Sequence, residues 1–110
     1  MLAVNTSVKG ELPYLGAVLL AGGAFEYTHC AVPGEALKSL LDRSDQQIVA
    51  LEMWAVLLAL ETFAERLRGA YVKVWIDNRA GEAILRRGSA ACEDHNLIAH
   101  CIWTAAYVLM

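Results

Sequence analysis

The chain has little proline, few cysteines and few charges, and it has no apolar run long enough to cross a bilayer. Its longest apolar stretches, residues 15–25 and 97–110, fall short of the roughly 18 residues that a spanning helix needs. Asn96, His100 and Thr104 punctuate the second of them. These features argue against a membrane span. The N-terminus lacks a basic region followed by an apolar core, the pattern of a signal peptide. The three cysteines, Cys30, Cys92 and Cys101, are odd in number and include no CxxC pair. That fits free, mostly buried thiols in a reducing intracellular compartment rather than a disulfide framework. A Gly-rich phosphate loop, a nucleophile elbow and a Ser/His/Asp arrangement are all missing from the sequence, as are repeats and low-complexity tracts. The net charge of −3 argues against strong, non-specific binding to nucleic acid.

Apolar residues are what the chain has in excess. They make up 57% of 110 residues, more than a single soluble domain of this size ordinarily carries. The expectation is one domain with more apolar surface than it can bury alone, covered by other protein chains or by a missing part of a larger domain.

Alternating and clustered apolar residues mark strands at 2–4, 15–21 and 24–31, with Gly22-Gly23 as a tight hairpin connection and Lys9-Gly10-Glu11-Leu12-Pro13 as a turn. Pro33 closes the third strand, because proline cannot donate to a sheet ladder. A long helix follows, opened by a Ser44-x-x-Gln47 capping box and stopped by Gly69 after Arg66-Leu67-Arg68. Ile48, Leu51, Ala55, Leu58, Ala59 and Thr62 share its sheet-facing side. Residues 71–77 form a fourth strand with Val72, Val74 and Ile76 on one face. Asn78 caps a short helix ending at Gly88, and a last helix begins near Glu93 or Asp94 with Leu97, Ile98, Cys101, Ile102 and Ala105 inward. The order β-β-β-α-β-α-α implies a mixed sheet, with a right-handed crossover placing the fourth strand beside the first.

Two acids stand out against this background. Glu52 lies inside the apolar helix, where an acid is costly unless something pairs with it. Asp77 ends the fourth strand, where sites gather in α/β sheets. Brought together, the two would repel unless a divalent cation lay between them. The plainer readings are a half-exposed helix acid paired with a strand residue such as Lys73, and a cap for the helix after Asp77-Asn78.

The order of elements, with one acid in the long helix and one ending the fourth strand, resembles the ribonuclease H fold. The chain is most similar to the RNase H-like domain that follows reverse transcriptase in tyrosine-recombinase (DIRS-like) and related retroelements. That family carries a Q-I-x-x-L-E-x-x-A helix and a D-N-x-A strand end, matched here by Gln47 to Ala55 and by Asp77-Asn78-Arg79-Ala80. Leu67-Arg68-Gly69, Arg87-Gly88-Ser89 and Trp103 are softer matches, and the likeness covers nearly the whole chain.

The resemblance implies a single RNase H-like α/β domain over residues 1–110, with the family's final strand and helix lying beyond Met110. It implies four acids holding two Mg²⁺ (or Mn²⁺) ions that hydrolyse RNA in an RNA/DNA hybrid. Two metals clamp the attacking and departing oxygens, so the chemistry needs clustered carboxylates. Glu52 and Asp77 match two of the four as metal ligands and catalytic residues. Asn5, in Val4-Asn5-Thr6-Ser7, stands where the family has its first acid, and the last acid falls in the absent elements. The resemblance therefore implies a catalytically defective relic serving as a binding or scaffolding part of a larger assembly, with no cofactor. A hydrolase completed by another segment or chain is the alternative.

Asn78, Arg79, Arg86 and Arg87 are the candidate nucleic-acid contacts, the arginines being otherwise solvated helix ends. A Cys92/His95/His100/Cys101 zinc site is disfavoured because neighbours 100 and 101 point about 100° apart on a helix. Trp54, Trp75 and Trp103 read as core or interface residues rather than base-stacking platforms.

Overall fold

A computed structural model describes residues 1–9, 12–38 and 48–110. Three strands come first, β1 (Leu2–Lys9), β2 (Leu12–Ala21) and β3 (Ala24–Ala31). Helices α1 (Gly34–Lys38), α2 (Ile48–Thr62) and α3 (Ala64–Leu67) lead to strand β4 (Val74–Ile76), and α4 (Arg79–Arg87) and α5 (Glu93–Leu109) complete the chain. The sheet order is β3-β2-β1-β4, antiparallel except for the β1–β4 pair. The fourth strand thus lies beside the first, as the crossover argument requires.

The registers decide which residues meet α2. Met1 and Leu20 exchange two bonds, each 2.8 Å, which makes odd-numbered positions of β1 the hydrogen-bonded pairs with β2. Even-numbered positions then turn their main-chain groups toward β4, and Leu2 N–H donates to Lys73 O at 2.7 Å. Side chains of Leu2 and Val4 pair with those of Leu19 and Ala17 on one face, and all four are buried beneath α2. The other face presents Leu20, Phe25, Tyr27 and Trp75, all exposed, which is where much of the apolar excess goes.

Strand β1 runs through to Lys9 and β2 starts at Leu12, so both are longer than the sequence suggests. Pro13 is tolerated inside β2 because its partner Val8 is a non-hydrogen-bonded position. On the β3 side its carbonyl accepts from Val32 N–H at 2.9 Å. Of the expected turn, Gly10 and Glu11 lie outside the described residues, as does the Ser44/Gln47 capping box.

Helix α2 packs against β1, β2, α4 and α5, so it is buried nearly all round. Ala50, Leu51, Glu52, Met53, Ala55, Val56, Ala59 and Leu60 are buried, whereas Thr62, expected to face the sheet, is exposed. The expected single helix to Arg68 breaks at Phe63, whose φ of −102° and ψ of 19° leave the helical region. Its buried ring holds the break in place, and Leu67 N–H still donates to Phe63 O at 3.0 Å.

Strand β4 is shorter than residues 71–77. Helix α4 rests on it and on α2 through Gly81, where a Cβ would come within 3.1 Å of Ile76 Cδ1 and 3.6 Å of Met53 Cγ. Gly88 ends α4 in the left-handed region at φ 81°. In α5 the buried stripe is Asp94, His95, Ile98, Ala99, Ile102 and Leu109. Leu97 and Cys101, expected inward, are exposed; the polar pair at the head of the stripe disguised its period. All three cysteines are free, and all three are exposed rather than buried. No helix among the described residues is long and apolar enough to cross a membrane.

Candidate functional site

Strand β4 pairs with β1 only as far as Ile76 against Val4. Beyond that point β1 continues without a neighbour on this side. The next main-chain donor of β1 aimed there is the N–H of Thr6, since even-numbered positions face β4. Asn5 Oδ1 accepts from this N–H at 2.9 Å. Asp77 follows the last residue of β4, and Asn78 caps α4, its Oδ1 accepting from Gly81 N–H at 2.8 Å. The strand tip is therefore anchored by a cap on one side and a short ladder on the other.

Helix α2 brings Glu52 to the same place from above the sheet. Glu52 is only 6% exposed, so the half-exposed acid considered from sequence is not what forms. Its ionisation is hindered mainly by burial and then by the negative charge of Asp77, while the main-chain N–H of Thr6 works in the opposite direction. The outcome is a carboxyl pushed up from 4.5 to about 7. Glu52 Oε2 and Thr6 Oγ1 are buried without a hydrogen-bond partner among the described residues. The pairing with Lys73 does not form. A buried acid with an idle oxygen beside a second acid can hold a proton at neutral pH, or it can welcome a cation.

Each residue singled out from sequence can be placed. Glu52 and Asp77 come together. Asn5 lies on the neighbouring strand, but the alternation that points Leu2, Val4 and Thr6 at α2 turns its side chain to the opposite, open face, so it does not join Glu52 as expected. There it is exposed, and its amide oxygen accepts from Thr6 N–H. Among the described residues, no group of three or more His, Cys, Asp or Glu side chains could hold a metal ion, so neither a third carboxylate at this tip nor the Cys92/His95/His100/Cys101 set is assembled. Arg79 and Arg86, two turns apart, line a groove that also includes Asp77. Arg86 is bonded to Glu82 at 3.0 Å, and Arg87 donates instead to Ser89 O at 3.1 Å. The three arginines therefore do not act as one free patch. Of the tryptophans, Trp54 packs on the core, and Trp103 donates from Nε1 to Leu85 O at 2.9 Å. Trp75 lies on the open sheet face.

Thr6 was not foreseen. Its signal was the alternation of β1, which puts Leu2, Val4 and then Thr6 on the α2 side. Asp94 and His95 enter the sequence reading only as a helix start and as part of the disfavoured zinc set; both are buried, and His95 N–H donates to Asp94 Oδ1 at 2.9 Å. An acid and an imidazole at the head of an apolar stripe were the available sign.

No family model, curated protein or solved structure matches the chain.

Proposed function

We propose that this chain is a retroelement-derived RNase H-like domain, catalytically defective and serving as a binding or scaffolding component of a larger assembly. The observation that carries the reading is the meeting of Glu52 from α2 with Asp77 from the tip of β4, in a sheet of order β3-β2-β1-β4. That is the arrangement the Q-I-x-x-L-E and D-N-x-A motifs lead one to expect. The defect rests on the absence of a β1 acid: Thr6 is the residue that faces α2 beside Glu52, and Asn5, an amide where the family has an acid, turns to the open face with its oxygen taken by Thr6 N–H. Two carboxylates fall short of what bridges two dications. The apolar surface left open on the sheet supports a role in contact with other chains.

A second reading has one specific observation behind it. The idle Oε2 of Glu52 and the repulsion from Asp77 would both be relieved by Mg²⁺ or Mn²⁺ held between these two acids. Such an ion supplies Lewis acidity toward a phosphodiester, and the chain would then be part of a ribonuclease acting on RNA/DNA hybrids, completed by another segment or chain. Arg79 at the groove would meet phosphate.

A labelled RNA/DNA hybrid incubated with the protein and Mg²⁺ or Mn²⁺ separates the two. The favoured reading expects intact RNA. Cleavage that disappears in Glu52→Gln would replace it with the second.

A further inference from the structure

Strand β3 is the edge of the sheet farthest from the acidic pair, and among the described strands it borders β2 alone. The bond from Val32 N–H to Pro13 O, 2.9 Å long, continues a ladder in which even-numbered positions of β3 face β2. The N–H and C=O groups of Phe25, Tyr27, His29 and Ala31 therefore point out of the sheet. Among the described residues none of these groups bonds to the main chain of another element. Ala31 O accepts from Cys30 Sγ at 3.2 Å, a weak donor that leaves it a lone pair.

An edge of this kind is ordinarily blunted by lysine, proline, a bulge or a covering element. Residues 24–31 hold no lysine, arginine or proline, and consecutive pairs join β3 to β2 from Ala24 to Ala31 without a bulge. Phe25 is 72% exposed and Tyr27 62%. Tyr27 leans back over β2, where a Cβ on Gly16 would lie 3.9 Å from its hydroxyl, so the ring does not shield the edge. Glu26, the only charged residue of the strand, is held by Arg66 at 2.8 Å.

We propose that β3 pairs antiparallel with β3 of a second copy of this chain, about a two-fold axis through Thr28, joining two four-stranded sheets into one. The strand is self-complementary in this register. Tyr27 stands opposite the partner's His29 and Phe25 opposite the partner's Ala31, so each outward N–H meets an outward C=O. On the other face Thr28 meets its own counterpart and Glu26 meets the partner's Cys30, so no like charges are opposed. The Tyr27–His29 ring contact, 5.5 Å between centroids, is repeated across the axis as a cluster of four rings. An edge without a free charge offers little to select an unrelated strand, whereas a copy of the same sequence brings the matching register. The interface uses neither Glu52 nor Asp77, so it stands apart from the retroelement reading.

Sedimentation equilibrium should show a mass that rises with concentration toward twice that of the single chain. Thr28→Lys and Thr28→Asp each set like charges against one another across the axis, and each should weaken dimerisation about tenfold or more at low salt. An equimolar mixture of the two variants should recover it, because opposite charges then meet. Thr28→Cys, with the native cysteines replaced by serine, should close a disulfide between copies, since residues of a non-hydrogen-bonded antiparallel pair stand about 4.5 Å apart at Cα. If a charged variant fails to fold by circular dichroism, the disulfide decides alone. A monomer at every concentration, a dimer that both charged variants leave as tight as the parent, a mixture no tighter than its components, or no disulfide overturns the proposal.

Discussion

Asp77 and Glu52 are electrostatic neighbours, and the aspartate makes the glutamate harder to ionise. One acid comes from the tip of a three-residue strand and the other from the middle of a buried helix. Their encounter depends on β4 lying against β1 and on α2 lying over β1, so it condenses the topology of the domain into a single pair.

The pH dependence of stability should carry the mark of Glu52. In the unfolded chain this carboxyl titrates near 4.5, and in the folded protein near 7. Between those values the native state holds more protons than the unfolded one, so stability falls as pH rises through this window and levels off above it. The contribution is roughly 1–3 kcal/mol. Urea midpoints at pH 5 and pH 8 should show the loss, and Glu52→Gln should flatten the difference and be the more stable protein at pH 8. A parent midpoint that climbs with pH by as much as that of the glutamine variant would show that Glu52 is not responsible.

Thr6→Asp would add a third acid on the α2 face, beside the β4 tip. Without cations at pH 8 the variant should melt lower than the parent, because another charge joins Glu52 and Asp77. Millimolar Mn²⁺ should reverse the order, and calorimetry should find the ion bound about tenfold more tightly than by the parent. Identical melting and identical Mn²⁺ binding would place the Thr6 side chain outside the reach of the two acids.

Asn78 serves α4 as its cap, whatever else it contacts. Asn78→Ala should cost about 1 kcal/mol, read as a lowered urea midpoint. Asn78→Asp should keep the cap but bring a further charge next to Asp77, so its midpoint should fall below the parent's at low salt and approach it as salt screens the repulsion.

Met53 is fully buried, touching the region where α4 crosses α2 through Gly81. Truncation to alanine should cost about 2–5 kcal/mol. Because Gly81 and Ile76 share this contact, Met53→Ala should also loosen β4, and a smaller upward displacement of the Glu52 titration, followed by carboxyl-carbon NMR, would report it.

The coarse architecture could be read in the sequence because each element carried a local mark. Gly22-Gly23 fixed the hairpin, Asn78 and Gly88 bracketed α4, and the run of 71–77 pointed to β4. What stayed hidden arose from tertiary packing. Helix α2 is apolar on nearly every side, so its periodicity could not reveal that Thr62 faces outward or that the helix breaks at Phe63. In α5 the stripe begins with Asp94 and His95, so apolar spacing alone drew in Leu97, which is exposed. At the site, Glu52 and Asp77 were visible as acids in unusual company. Thr6 was not, because what it contributes is a main-chain N–H exposed only where β4 happens to stop.

The brevity of β4 has a mechanical consequence. Three residue pairs join it to β1, whereas eight join β1 to β2 and eight join β2 to β3. The seam between β1 and β4 is accordingly the place where this sheet parts most cheaply, and local opening there separates Asp77 from Thr6 and Glu52 while the three-stranded meander stays intact. Occupancy of the acidic pair and integrity of the remaining core are thus distinct equilibria, and amide exchange at Trp75 and Asp77 should outpace that at Val18 by the difference between them.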